Sequence, residues 1–195
     1  MSEMPENRGA FLADPAPLGL AAFALTTFVL SFMNTGLFKA EPVVFGLALA
    51  YGGIAQILAG MWEFAKGNTF GATAFTSFGA FWISFWYLTG HTDMSKVAAG
   101  DAGNGVGLFL LAWGIFTAYM LVASLGTGNH AVVLVFVLLT ITFFLLAFGE
   151  FGPSEALTKT GGWFGLATAV AAWYASFAGV AASTFKRPIL PTSLG

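Results

Sequence analysis

The sequence predicts an all-α integral membrane protein with six transmembrane helices. Hydrophobic residues make up 57% of the 195 residues and charged residues only 8%, whereas soluble domains carry roughly 25% charged residues. The mean hydropathy of +0.82 agrees with this composition. Apolar residues also collect in six long runs, which are too long and too uniformly apolar for the shorter, alternating strands of a membrane β-barrel. A soluble globular protein is therefore excluded.

Each run is close to the roughly 20 residues that a helix needs to cross a hydrocarbon core of about 30 Å. The predicted segments are Pro17–Phe38, Pro42–Trp62, Phe70–Leu88, Gly105–Leu125, Ala131–Phe148 and Gly162–Phe185. They form one transmembrane domain, residues 17–185. We expect residues 1–16 to be a short solvated tail and residues 186–195 to be a C-terminal tail.

Turn and charge signals separate the first three segments. Pro17 favours a helix start because proline is tolerated in a first turn. The run Lys39-Ala-Glu41-Pro42 ends the first segment and begins the second, and the polar stretch from Glu63 to Asn68 precedes the third.

The last three segments are bounded in the same way. A polar loop from His91 to Asp101 precedes the fourth segment, Gly126 to His130 precede the fifth, and Gly149 to Gly161 precede the sixth. Charged residues are confined to loops, tails and helix ends. Glu63 is the carboxylate nearest to the membrane, at the end of its helix, so we expect no membrane-embedded titratable residue.

The distribution of Lys and Arg favours cytoplasmic termini. Basic residues on the side of the termini are Arg8, Lys66, Lys186 and Arg187, and those on the opposite side are Lys39, Lys96 and Lys159. Cytoplasmic loops carry the excess of Lys and Arg, and here the excess is four against three.

A short sequence match indicates an internal duplication with three helices in each half. Glu63, Lys66, Gly67 and Phe70-Gly71 lead into the third segment, and Glu155, Lys159, Gly161 and Phe164-Gly165 lead into the sixth. An odd number of helices per repeat would orient the two halves oppositely, as in many transporters. A chance match of this length is the alternative.

Absent residue types exclude several functions. Cysteine is absent, which removes disulfides, iron–sulfur clusters and thiolate zinc sites. No segment offers a mid-helix lysine for retinal, axial histidines for haem, or a nucleophile with a base. The net charge of −2 argues against a nucleic-acid partner. We therefore expect neither an enzyme nor a metal or cofactor protein.

Polar residues within the segments point to a path for a small solute. Phe23, Thr27, Ser31 and Asn34 lie on one face of the first helix, and Gln56 shares a face of the second with Gly60 and Glu63. Amides in hydrocarbon are costly unless hydrogen-bonded, so Asn34 and Gln56 must face protein or a wet path. Such a path suits a small neutral molecule or a small monovalent anion. The alternative is that these groups bond only to neighbouring helices or their own backbone.

The residues that enter the first helix form a compact motif. Pro is favoured in a first turn, and Asp14 is placed to act as the N-cap. A helix N-terminus carries a partial positive charge that can hold an anion. An ordinary capped helix start is the alternative.

This motif, Pro15-Ala16-Pro17-Leu18-Gly19-Leu20, resembles the signature Asn-Pro-Ala-Pro-Leu-Gly-Leu of the acetate uptake transporter family, the succinate/acetate permeases. Further similar motifs occur in order along the chain. They are Tyr51-Gly-Gly-Ile-Ala-Gln-Ile57, Gly67-Asn-Thr-Phe-Gly71, Thr73-Ala-Phe-Thr-Ser77, Phe81-Trp82, Leu145-Leu-Ala-Phe-Gly149 and Gly162-Trp163.

The resemblance implies a six-helix protomer, assembled as a hexamer in the plasma membrane, with one path per protomer for acetate and related monocarboxylates, and for succinate in some members. It implies that an apolar constriction in this path consists of Phe23, Phe78 and Leu139. A small residue on the sixth helix that affects selectivity in the family corresponds to Ala172.

Two departures from the family pattern bear on substrate preference. The Asn of the signature is Asp14 here, and an ionised carboxylate would repel an anion unless it is capped, neutralised or turned aside. The Tyr of the constriction is Phe78, which lacks a hydroxyl that could bond a carboxylate.

An apolar ring opposes an anion, which must shed water, more than a protonated acid. We therefore expect flux to rise at low external pH, through either a channel-like path or a proton-coupled carrier. One alternative function is a channel for a small neutral solute, such as the compact six-helix urea channels. Another is a non-transporting subunit whose polar stripes serve only packing.

Overall fold

A computed structural model describes residues 12–193 of the chain, except for the side chain of Ala99, and its regular structure is entirely helical. The α-helices are α1 (Ala16–Asn34), α2 (Val43–Leu49), α3 (Gln56–Lys66), α4 (Thr69–His91), α5 (Ala99–Ser124), α6 (His130–Phe151) and α7 (Glu155–Phe185). A π-helical segment, Ala50–Ala55, joins α2 to α3 without a break, so the two form one span. Short 3₁₀ turns, Met94–Lys96 and Leu125–Thr127, lie in two connections.

The prediction of an all-helical membrane fold is confirmed. By length and composition, five spans in the described residues can cross a membrane: α1, the α2–α3 span, α5 with its 3₁₀ extension, α6 and α7. Helix α4 has 23 residues and is long enough, but Thr, Ser and Gly lower its hydropathy. It buries Phe78, Trp82 and several small residues within the protein, so less of its surface has to be compatible with lipid.

Helix ends follow local capping rather than the limits of the apolar runs. Helix α7 begins at Glu155, well before Gly162, because the Ser154 hydroxyl accepts a hydrogen bond from the Leu157 N–H at 3.4 Å. Helix α1 ends at Asn34, before Phe38, since the turn that follows includes Gly36 with φ +77°. Helical turns therefore extend beyond some predicted membrane segments and stop short of others.

Helix α1 packs closely along α7 at glycines. A Cβ added to Gly162 would lie 2.5 Å from the Thr35 nitrogen, and one added to Gly165 would overlap the Ser31 hydroxyl. At the other end of the same contact, the Ser176 hydroxyl donates to the Pro17 carbonyl over 2.7 Å. Small residues allow helices to approach closely in lipid, where packing drives association.

The two copies of the matched motif do not occupy equivalent positions. The first copy spans the end of α3, a left-handed Gly67 and the start of α4, whereas the second lies wholly within α7. In the second half, the interruption between helices falls at residues 152–154, ahead of the motif. This pair of motifs therefore does not support a duplication, which stays a prediction.

Candidate functional site

Two cavities enter the helix bundle from opposite ends. Cavity 1, of about 700 Å³, opens where α1, α4 and α6 begin, and its lining includes Asp14, Asn68 and Asn129. Cavity 2, of about 460 Å³, opens at the other end, and its lining includes Asn34 and Thr92. Phe23 and Leu139 line both cavities. The two cavities therefore meet at these two side chains.

The meeting point is an apolar constriction. The rings of Phe23 and Phe78 lie 5.7 Å apart, and Phe78 also packs against Phe116 at 5.4 Å and Phe136 at 6.0 Å. Phe23, Phe78 and Leu139 are 4–5% exposed. Phe78 lines cavity 1 only. A solute that passes between the cavities must lose its water here, because the surrounding side chains offer no hydrogen bonds.

The polar stripe of α1 faces cavity 2. Thr27, Ser31 and Asn34 all line this cavity, on the far side of Phe23 from cavity 1. The Thr27 hydroxyl is buried and has no hydrogen-bond partner among the described residues, whereas the nearby Thr142 hydroxyl donates to the Leu138 carbonyl at 2.8 Å. Thr27 is thus available to a solute that has just crossed the constriction.

Amide groups line cavity 1. Gln56 is almost completely buried and its Oε1 has no partner. Asn68 caps α4, since its Oδ1 accepts from the Gly71 N–H at 3.1 Å. Sequence reasoning did not select Asn68. Its position after Gly67, just before an apolar run, is nevertheless an N-cap signal.

The charge of Asp14 at the mouth of cavity 1 is paired. Its Oδ1 accepts from Lys66 Nζ at 2.7 Å and from the Ala16 N–H at 3.1 Å. The prediction that Asp14 is the N-cap is wrong, because Pro15 occupies that position without a side-chain bond. A partly exposed ion pair with Lys66, distant in sequence, accompanies the hydrogen bond that Asp14 accepts from the first residue of α1.

The rest of the entrance motif divides between the cavity and the packing of α1. Ala16, Pro17 and Leu20 line cavity 1. Gly19 packs against the ring of Phe75, and a Cβ added to Gly19 would lie only 2.6 Å from a carbon of that ring. Leu18 points outward with 44% of its surface exposed.

Ala172 belongs to the hydrophobic core. It is completely buried in the cluster that also contains Phe23, Phe78 and Leu139, but it is not among the described residues that line the two cavities.

Glu63 differs most from its expected surroundings. It lies in the last turn of α3, as expected, but it is completely buried within the protein; that no titratable residue is embedded in the membrane stays a prediction. Its Oε2 accepts from Asn68 Nδ2 at 2.8 Å, and its Oε1 has no partner among residues 12–193. The face that Glu63 shares with Gln56 and Gly60 was the available signal, because Gln56 and Gly60 pack inward.

The C-terminal segment covers part of the mouth of cavity 1, which sequence reasoning also missed. Pro188, Leu190 and Thr192 line the cavity. The Thr192 carbonyl accepts from the His130 N–H at 2.7 Å, and the Tyr174 hydroxyl donates to the Pro191 carbonyl at 2.7 Å. Within residues 12–193 we find no cluster of three or more His, Cys, Asp or Glu residues that could hold a metal ion.

Comparisons with known proteins agree with this geometry. A model of the GPR1/FUN34/yaaH family matches residues 3–192. Acetate permease A of Emericella nidulans is 44% identical over 197 residues, and the alignment spans 93% of this chain and 66% of the permease. The succinate-acetate/proton symporter SatP of Escherichia coli is 41% identical over 182 residues, spanning 92% of this chain and 95% of the symporter. The structure of the bacterial acetate channel SatP superposes with a TM-score of 0.85 at 38% identity, covering 93% of this chain and 99% of the channel.

Proposed function

This chain belongs to the GPR1/FUN34/yaaH family, and we propose that it transports acetate and related short-chain carboxylates, succinate among them, across the plasma membrane. One observation carries the proposal: two cavities from opposite ends of the bundle meet at Phe23 and Leu139. The names of the relatives, acetate permease, succinate-acetate/proton symporter and acetate channel, indicate the same substrates.

The constriction acts as a selectivity barrier in this mechanism. A carboxylate loses hydration between Phe23, Phe78 and Leu139, whereas the neutral acid loses much less. Thr27, with its free hydroxyl, then replaces part of the lost hydration on the side of cavity 2. Flux accordingly rises at low external pH, through a channel-like or a proton-linked path.

The remaining polar groups hold the substrate on either side of this barrier. Gln56 offers an amide within cavity 1, and Ser31 and Asn34 offer a hydroxyl and an amide within cavity 2. These groups carry no fixed charge, so they bind the carboxyl group weakly enough to release it.

The entrance motif admits anions to cavity 1. Lys66 neutralises Asp14, so the carboxylate that replaces the Asn of the family signature does not repel an incoming carboxylate. Pro17 and Leu20 shape the wall beside it. Ala172 influences selectivity indirectly, through the buried cluster that it shares with Phe23 and Leu139.

We place both termini in the cytoplasm, so that cavity 1 faces the cytoplasm, and we propose a hexamer. Large apolar side chains are exposed on the outer faces of α3, α5 and α7 in the single chain, for example Trp62, Ile115 and Phe177. Faces of this kind serve contact with lipid or with neighbouring protomers. The proposed role is not enzymatic.

Uptake of labelled acetate into proteoliposomes tests this function. We expect saturable uptake above that of empty liposomes, stimulated by an inward proton gradient and inhibited by succinate but not by urea. Inhibition by urea would favour a neutral-solute channel. Absence of uptake by folded, inserted protein would refute transport.

A further inference from the structure

Glu63 is a buried carboxyl group with one free oxygen. None of its surface is exposed, and Oε1 has no hydrogen-bond partner in the part of the chain that the structure describes, while Oε2 accepts from Asn68 Nδ2 at 2.8 Å. A buried polar atom without a partner destabilises the protein, and an isolated buried charge does so much more. A purely structural role would be served better by an apolar side chain or by an amide.

The carboxyl group lies directly on the first turn of α4. A Cβ added to Gly71 would lie 2.9 Å from Glu63 Cδ and 2.7 Å from Asn68 Nδ2, so only glycine leaves room for this arrangement. The N-terminus of α4 carries a partial positive charge that stabilises an anion. The protein thus accommodates the ionised form of Glu63 as well as the neutral one.

A single side chain separates Glu63 from cavity 1. Asn68, its hydrogen-bond partner, lines the cavity, and so do Gly71 and Gln56. Glu63 is therefore one hydrogen bond behind the wall of the cavity in which a substrate carboxylate waits before the constriction.

Within residues 12–193, the charged groups that face Glu63 leave it without a cation of its own. They are Lys66 on its own helix and Asp14 ahead of α1, and these two pair with each other at 2.7 Å. The first turn of α4 contributes no acidic residue. Of the three groups, only Glu63 is both buried and free to change its protonation state without breaking an ion pair.

We propose that Glu63 is the residue that exchanges a proton with the substrate in cavity 1. A carboxylate that enters cavity 1 takes the proton from Glu63 by way of one water molecule: the O–H bond of Glu63 breaks, the water accepts this proton and passes on one of its own, and an O–H bond of the substrate acid forms. The neutral acid crosses the constriction and releases its proton to water on the other side, and Glu63 takes up a proton from water in cavity 1. In the reverse direction the acid gives its proton to Glu63, so one proton always moves with one carboxylate.

This inference rests on the proposed function, and the pH profile of acetate uptake separates the two. Uptake is measured between pH 5 and 8, with empty liposomes subtracted, for the native chain, Glu63→Gln and Glu63→Asp, in proteoliposomes oriented so that cavity 1 faces the labelled acetate outside. Glu155→Gln is the matched control, because Glu155 is exposed and pairs with Lys159 at the opposite end of the bundle.

Gln keeps the oxygen that accepts from Asn68 but has no acidic proton to transfer, so only acid that is already neutral in solution can cross. We expect uptake by Glu63→Gln to fall about tenfold per pH unit toward neutral pH, in step with the neutral acid, and to approach the native rate at the lowest pH. Glu63→Asp and the control should keep the native profile. A native-like profile for Glu63→Gln, or an equal loss at every pH, would overturn the proposal, since a structural residue has the same effect at every pH.

Infrared spectroscopy of the native protein provides a second test if Glu63→Gln fails to fold. The carboxylic C=O band of a buried acid should appear over the pH range in which uptake rises, and the band should shift in Glu63→Asp. No band that responds to this substitution would contradict the role of Glu63. A native protein without saturable uptake would instead refute the transport function and the inference with it.

Discussion

Leu139→Ala is expected to weaken the barrier between the two cavities. Leu139 is 4% exposed and lines both cavities, so its side chain is part of the only separation between them in the described residues. Alanine removes three carbon atoms at this point. The space gained is roughly that of two water molecules, about 60 Å³, which allows a crossing carboxylate to keep contact with water.

The size of the effect follows from the hydrogen bond that the substrate retains. A hydrogen bond to a charged group contributes about 1.5–3 kcal/mol, and each 1.4 kcal/mol corresponds to about a tenfold change. We therefore expect acetate uptake at neutral pH to increase by about tenfold to a hundredfold, with a weaker dependence on pH. Leu→Ala substitutions in protein cores cost about 2–5 kcal/mol, and the low end applies here because empty space already borders Leu139 on two sides.

The assay is initial uptake of labelled acetate by proteoliposomes at pH 5 and pH 7, with the thermal midpoint of unfolding in detergent as a check of stability. Leu134→Ala is the matched control, because Leu134 lies on the same helix with 49% of its surface exposed. Unchanged uptake in Leu139→Ala, or an equal increase in the control, would show that Leu139 does not form the barrier.

Three further outcomes are expected. Phe78→Tyr should lower the KM for acetate by up to about tenfold, since the hydroxyl can donate to a carboxylate in cavity 1; an unchanged KM in saturation kinetics would contradict this geometry. Lys66→Met should reduce acetate uptake at low ionic strength several-fold, because it leaves Asp14 unpaired. Adding the Asp14→Asn change should restore uptake, and so should 0.5 M salt, which shortens the Debye screening length to below about 8 Å. The native chain lacks cysteine, so single cysteines can report the orientation of the protein. Ala182→Cys in cavity 1 and Val106→Cys in cavity 2 should react with an impermeant maleimide from opposite sides of the membrane. Labelling of Ala182→Cys from outside cells would show that cavity 1 faces the exterior, opposite to the proposed orientation.

Periodicity along one helix predicted part of the site well. Phe23, Thr27, Ser31 and Asn34 were grouped on one face by spacing alone, and all four line a cavity. Spacing succeeds here because the positions of residues on a single helix depend only on the helical repeat. The roles of these residues in transport stay predictions.

Contacts between distant segments could not be predicted in this way. The pair of Asp14 with Lys66 and the cover of the C-terminal segment over cavity 1 depend on which segments become neighbours. Both were missed because local spacing contains no information about the partner segment. Asp14 shows this directly, since a residue suited to capping is recruited by a lysine from the end of α3.

The sequence by itself determined that this chain is a helical membrane protein, because hydropathy and helical repeat are local properties, and its motifs determined which family it resembles. Only the tertiary structure decided what those spans enclose. Glu63 is the clearest case: by sequence it is a carboxylate at the end of its helix, and the close approach of α4 at Gly71 removes it from water. The free energy of a charge depends on everything packed around it, and that is set by the assembled bundle.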